Sequence, residues 1–581
     1  MTAMPSRWYV PSRLSAALLL LVTIVAAGCG RGEEAGGFAQ AVDLEPFGTL
    51  AVHTEGRVKS FDSFATSTMK FVTGPRGVNG QSPSFTYLDM MLRHDRYHAS
   101  PSVFVKNKGV RVSLLDVLPY DGSVDKAARA EAFETGLFSP TWFEIPAVRA
   151  KLAELDADLM RSAKEVERLR AALSVSEPFG LMMNLRIVPP PSGERDDRWL
   201  SPHELGMLDD AALSEARISA ETRDAIATAW SELVHAWHAE DAAGVSAAST
   251  QLVTLLPKVN DDTGLYPASR KLALESWYFR SYNMTWVWML YLLALIPLLM
   301  FVAFRWEGAR WVGLFLFLVA FGFHTAAVML RWYVSGRWPN SNMFEAVTTA
   351  VWFGGCFAVL FELFARRSPV RGLAAICSAT ASMVAMMCVK FYPLQLDASI
   401  GNMMPVLHDM WLYIHTNVII FSYCLIFMAT ITACLYLFAR VVKRAKGKSG
   451  RDDYARVGGA GSLIMQSPDG GTYLARAKTN VLQVFDGMTM ILLEMSFVLL
   501  WAGIVMGAIW ADHSWGRPWG WDPKEVFALN TFLVFIVLIH TRMKVRDKGL
   551  ATAIIAIVGC LVMLFNWICV NFAIVGLHSY A

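Results

Sequence analysis

From Trp286 to the end of the chain, apolar runs long enough to cross a bilayer follow one another with short polar breaks. A run of roughly 20 such residues satisfies its backbone in lipid only as a helix. The runs at 284–304, 311–331, 343–364, 372–392, 410–438, 487–510, 525–542 and 549–571 predict about eight transmembrane helices. Residues up to about Leu274 are mixed and charged, so the mean hydropathy of +0.38 averages two unlike halves. The expected fold class is an all-α polytopic membrane protein preceded by a helical-rich extracytoplasmic domain. The expected divisions are 1–29, a signal peptide or lipoprotein signal or anchor; 30–283, an extracytoplasmic soluble domain; and 284–581, the transmembrane domain.

The net charge of +3 constrains little, but the placement of the charges orients the spans. Arg366, Arg367 and Arg371, then Arg440, Lys443, Arg444, Lys446 and Lys448, then Arg542, Lys544, Arg546 and Lys548 fall in alternate loops. Loops rich in Lys and Arg stay cytoplasmic, which puts the soluble half outside. The start of the chain agrees. Arg7 and Arg13 precede the apolar run Leu14 to Ala27, which ends at Ala26-Ala27-Gly28-Cys29, the pattern of a secretory signal. Two readings of Cys29 stay open: a lipidated cysteine, or an ordinary thiol behind an uncleaved anchor.

The eight cysteines are Cys29 and seven in the membrane half, with no CxxC among them. The soluble half therefore has no disulfide framework, and the chain lacks the dithiol of a thiol oxidoreductase. In that half, Leu50-Ala51-Val52 leads through His53 to a Glu55-Gly56 turn, and Phe61, Phe64, Ala65, Met69 and Phe71 predict a buried helical face. Segment 141–174 reads as one long amphipathic helix that buries Val148, Leu152, Leu155, Leu159 and Val166, and 203–256 reads as helical again. His235 and His238 lie three apart on the latter with no third ligand evident, so they read as ordinary surface and core histidines. No nucleotide loop, catalytic triad or metal cluster is visible, and nothing points to nucleic acid.

The stretch WADHSWGRPWGWDPKE, from Trp510 to Glu525, stands between two apolar runs. It holds Trp515, Trp519 and Trp521 with Asp522 directly after. Interfacial tryptophan is ordinary in a membrane protein, but this density of rings suits a flat apolar ligand. On the expected topology the stretch is outside, as are the loop Trp332 to Asn342, His415 and His578. His540 lies near the inner end of its span, and His324 lies within the second span. Neutral imidazole is a good iron ligand; two histidines, an aromatic platform and a cation such as Arg337 or Arg517 make up the set that a bis-histidine heme site needs. His408 and His513 are outside too and compete for the ligand role. A lone intramembrane histidine also serves simply to satisfy a backbone carbonyl.

WGRPWGWDPKEVFAL (Trp515 to Leu529) resembles the tryptophan-rich WWD signature of the CcsA/ResC, CcmC and CcmF heme-handling proteins of cytochrome c assembly, and CcsA/ResC most of all. WLYIHTNVIIFSY (Trp411 to Tyr423), LIHTR (Leu538 to Arg542), VNFAIVGLHSYA (Val570 to Ala581) and RWYVSGRWPNSNMFEA (Arg331 to Ala346) resemble its other motifs, in the family order. Val52 to Gly74 resembles an extension of some larger CcsA-like proteins. The resemblance implies a protein of the bacterial cytoplasmic membrane, with the N-terminal domain and WWD loop periplasmic. It implies that the protein binds heme b and supports its thioether attachment to apocytochrome c, as part of a synthase with a ResB/CcsB-type partner. His415 and His578 are then the outer ligands, and His540 belongs to an inner site whose second ligand comes from that partner or from His324. A heme exporter or chaperone without ligase activity is the alternative, and a transporter unrelated to heme a more distant one.

Overall fold

The computed structural model describes residues 37–119, 125–159, 161–190, 192–194, 197–208, 218–402, 409–447, 481–572 and 574. Cys29 with its preceding signal, His408 and His578 lie outside the described residues. The chain divides into two compact units, one up to Ser276 and one from Trp277.

The first unit is helical, with two short antiparallel strand pairs, of which only the first is a hairpin. Strands Ala51–Thr54 and Arg57–Ser60 pair antiparallel. Glu55 and Gly56 between them both have positive φ, 51° and 71°, as a two-residue hairpin turn matched to strand twist requires. Helix Phe61–Thr73 follows, capped by the Ser60 hydroxyl and burying Phe61, Phe64, Ala65 and Met69 as the periodicity predicts, while Phe71 is only half-buried. The long helix expected over 141–174 is instead two, Pro146–Ala157 and Ala163–Ser176. The chain turns on the Asp158 carbonyl, which accepts from the N–H groups of Arg161, Ser162 and Ala163, and Leu159 is left 84% exposed rather than buried. Helices Ala220–His238 and Ala242–Leu255 complete the core around Trp237 and Leu233. His235 and His238 are exposed.

In the second unit, eight helices of the described chain are long and apolar enough to span a membrane. In order they are Tyr282–Phe304, Glu307–Ser335, Met343–Ala365, Leu373–Phe391, Met410–Ala445, Val481–Trp515, Pro523–Lys544 and Lys548–Val570, called here the first to eighth spans. The protein is thus a multi-span membrane protein. The fifth and sixth spans have 36 and 35 residues, roughly 50 Å at 1.5 Å per residue, well beyond a hydrocarbon core of about 30 Å. They pack along each other more extensively than any other pair. Small polar groups join them: Ser422 donates to the Ser496 carbonyl at 3.0 Å, and the hydroxyls of Thr432 and Thr489 meet at 2.8 Å.

Ion pairs fasten the bundle at both ends. At one end Arg542 of the seventh span holds Asp486 of the sixth at 2.7 Å, and Arg440 of the fifth holds Asp547 at 2.6 Å. At the other, fully buried Glu345 of the third span takes Arg331 of the second and Arg337 of the connecting loop, each at 2.8 Å. Breaking a buried pair from one side strands the remaining charge, at a cost of about 3–5 kcal/mol. Glu345→Gln strands two guanidinium groups. Arg371→Gln removes the half-exposed bridge to Glu307, worth about 1 kcal/mol or less, with a long bond to the Ser368 carbonyl and a contact over the Phe301 ring. The thermal unfolding midpoint of the detergent-purified protein should fall steeply for Glu345→Gln and hardly at all for Arg371→Gln; similar shifts would contradict this account.

Candidate functional site

The sixth span does not stop at 510, where the apolar run ends. It continues to Trp515, so the first tryptophan of the motif is the last helical residue. The chain leaves the helix through Gly516, at φ +69°, whose N–H returns to the Asp512 carbonyl at 2.8 Å. It re-enters a helix at Pro523, where the fixed φ of proline suits a first helical position. Asp522 is the N-cap, accepting from Lys524 N–H at 3.2 Å, and Glu525 completes a capping box. One Glu525 oxygen accepts from both Gly520 N–H, at 2.9 Å, and Asp522 N–H, at 3.2 Å. Asp522 is thus a buried ordering group. Between these fixed points Trp521 takes φ +57°, a left-handed conformation that costs a side-chain-bearing residue about 1–2 kcal/mol. Its ring is 73% exposed and meets Trp519 edge to face at 6.0 Å.

His415 stands near the start of the fifth span. Its Nδ1 is 3.0 Å from the Trp411 carbonyl one turn back. A carbonyl only accepts, so Nδ1 carries the proton and the ring lone pair is on Nε2. The ring lies against Gly507 of the sixth span, where a Cβ would sit 3.4 Å from Cδ2. It also meets the Trp510 ring at 5.6 Å, and Trp510 meets Trp515 at 4.8 Å. Buried Trp510 therefore links His415 to the tryptophan motif. Sequence reading assigned it no role, because the apolar run ends at 510 and the continuation of the helix to Trp515 is seen only in the structure.

Arg337 is committed elsewhere than expected. Besides Glu345, its guanidinium donates to the carbonyls of Trp338 and Gly401. Glu345 also accepts from the N–H and hydroxyl of Ser341, at 2.8 and 3.0 Å. The rigid loop that results reaches the fifth span beside His415: Trp338 Nε1 donates to Asn417 at 2.9 Å and Asn340 to Thr416 at 3.0 Å. Two guanidinium groups on one carboxylate leave this cluster with an excess of one positive charge. Arg517, in the tryptophan loop, is exposed.

The other histidines separate by environment. His513 is exposed on the last turn of the sixth span. His540 is exposed on the seventh span, with Nδ1 2.9 Å from the Ile536 carbonyl, so it repeats the tautomer of His415. His324 is fully buried among the first three spans. Its Nδ1 is 3.0 Å from the Tyr291 hydroxyl and its Nε2 is 3.2 Å from the Thr348 carbonyl. Both ring nitrogens are engaged, and the structure does not bring His324 to the exposed face that carries His540.

The family described as "Cytochrome C assembly protein" matches residues 340–578, a segment that includes the tryptophan loop, His415 and His540. The chain is 31% identical over 260 residues to "Cytochrome c biogenesis protein CcsA" of Synechococcus sp. (strain CC9902), covering 44% of this chain and 82% of the relative. It is 32% identical over 262 residues to the protein of that name from Synechococcus sp. (strain RCC307), covering 44% and 80%. With that of Pyropia yezoensis the identity is 32% over 273 residues, covering 44% and 82%. With four-fifths of these relatives spanned at this identity, the chain belongs to the CcsA-type family of cytochrome c biogenesis proteins.

Proposed function

We propose that the protein binds heme b beside the tryptophan loop and presents it for covalent attachment to apocytochrome c. The observation that carries this reading is the line from His415 through Trp510 to Trp515, ending in a loop that holds Trp521 exposed at a cost in backbone strain. Strain kept at a fixed site is a pointer to function. Heme is the cargo here. His415 offers Nε2 to the iron, with Nδ1 anchored on its own helix, and His578 is the second axial ligand. Trp519 and Trp521 pack on the macrocycle, and Arg517 is the cation placed to meet a propionate.

In the attachment step each cysteine thiol of a CxxCH segment adds across a heme vinyl group. Sulfur bonds to one vinyl carbon and the proton goes to the other, so the step has no net redox change. The substrate histidine replaces one protein ligand. Positioning turns an encounter into an intramolecular step, and no acid or base of this chain is required. In this proposal the membrane is the bacterial cytoplasmic membrane. The tryptophan loop and residues 30–283 face the periplasm, because the basic clusters around Arg366, Arg440 and Arg542 lie at the opposite end.

His540 belongs to an inner heme site. Its imidazole is exposed on the outside of the bundle, which favours a second ligand from a separate ResB/CcsB-type membrane protein over His324, whose role we take to be packing. With that partner the chain forms a cytochrome c synthase. Alone it is a heme exporter or chaperone. Co-expression with an apocytochrome should give covalent heme only when the partner is added; covalent heme from this chain alone would overturn the two-protein reading.

Two further outcomes test the outer site. The absorption spectrum of the purified protein should show a heme Soret band that His415→Ala and His578→Ala each reduce severalfold and added imidazole restores. A wild-type protein without the band, or variants with the band intact, would remove heme from this end. Trp521→Gly relieves the left-handed strain, so the unfolding midpoint should stay level or rise, by the equivalent of about 1 kcal/mol, while heme retention drops. Unchanged retention would leave Trp521 without a role in binding.

A further inference from the structure

The first unit holds a second polar constellation, distant in sequence from every motif used above. The His53 backbone N–H donates to the Arg186 carbonyl at 3.0 Å, which sets the two residues side by side. Val188 and Leu200 form an antiparallel bridge, and this brings Arg198 and Trp199 alongside. Trp199, almost fully buried, stacks on the His53 ring at 5.9 Å and 18°. Behind it lie Ala51, Leu272, Val58 and Tyr266.

Nδ1 of His53 and Nε of Arg186 are both buried, and neither has a hydrogen-bond partner. Among the described residues the Arg186 guanidinium makes no ion pair. The nearby acid is already used: Glu204 takes Arg198 at 2.6 Å and caps its own helix through Ser201 N–H at 2.8 Å. Arg57 is likewise held by Glu275 at 2.7 Å. Buried polar atoms are nearly always satisfied, and exceptions in one place call for a missing partner. A guanidinium N–H without a carboxylate, beside an imidazole nitrogen that can carry a proton, calls for an acceptor with negative charge. An oxyanion meets that need, since the fork of a guanidinium matches the oxygens of carboxylate and phosphate. The stacked Trp199 covers one face of the imidazole.

We propose that Arg186 and His53 form an oxyanion-binding site in the first unit, taking the carboxylate or phosphate group of a ligand, with Arg198 adding to its positive field. Burial and the Arg186 charge both push the His53 imidazole down from its ordinary value, and an anion bound between the two groups would reverse the second effect. This site is independent of the heme reading.

The test is calorimetric titration of the full-length chain in detergent with sodium phosphate and with sodium acetate, each against sodium chloride at matched ionic strength. The proposal expects saturable binding of at least one oxyanion. It expects binding at least tenfold weaker in Arg186→Gln and severalfold weaker in His53→Gln. Among the described residues the Arg186 side chain has no hydrogen bond or ion pair to lose, so Arg186→Gln should unfold in chloride at the same temperature as the wild type or higher, which separates lost binding from lost fold. Binding of phosphate alone identifies a phosphate-bearing ligand, and binding of acetate alone a carboxylate. Binding of neither, or equal affinity in Arg186→Gln, overturns the proposal.

Discussion

Glu345, fully buried, carries two guanidinium groups. A buried carboxylate is costly unless charge and hydrogen bonds both answer it, and here Arg331, Arg337 and Ser341 supply them all. The arginines pass the constraint on. Arg331 also holds the carbonyls of Ala398 and Ser399 at 2.9 and 3.1 Å, so one carboxylate fixes the 331–345 loop and the approach to the fifth span together. Because that loop bonds to Thr416 and Asn417, His415 is held on one side by the loop and on the other by Gly507 and Trp510.

The tryptophan loop is fixed by a second, smaller device of the same kind. Asp522 and Glu525 cap a helix, which any membrane protein needs at a span end. Glu525 reaches further back, to Gly520 N–H. The capping box thus sets the conformation of the residue between, Trp521. An ordinary structural need, a satisfied helix start, is coupled to a costly exposed ring. The coupling makes the loop a preorganised surface, in which ordering is settled before any ligand arrives.

The eight spans were legible because hydrocarbon length is written directly as apolar runs. Their ends were less so. The fifth and sixth spans continue to Ala445 and Trp515, past the apolar limits at 438 and 510, because a helix paired along a neighbour goes on after the lipid ends. Asp522 followed by Pro523 and Glu525 was readable as a cap, while the link through Trp510 was not, since it depends on which face of the fifth span meets the sixth. Arg337 looked available for a ligand because its loop neighbours the tryptophans; its engagement by a glutamate eight positions on, shared with Arg331, is a three-body arrangement that no single spacing announces. The break at Asp158 likewise has no proline or glycine to mark it.

The histidines give the sharper lesson. In His415 and His540 the ring donates through Nδ1 to a carbonyl four residues back, and Nε2 then faces away from the helix that carries it. On the proposed reading, an iron at such an Nε2 takes its other ligand from a different element, His578 for His415 and another protein for exposed His540. His324 shows the opposite use of the same side chain: with a hydroxyl on one nitrogen and a carbonyl on the other, it joins three spans and has no lone pair to offer. Sequence reading set His415 in an outer pair and His540 at an inner site with His324 as an alternative second ligand; the partners of the ring nitrogens set His324 apart from the other two.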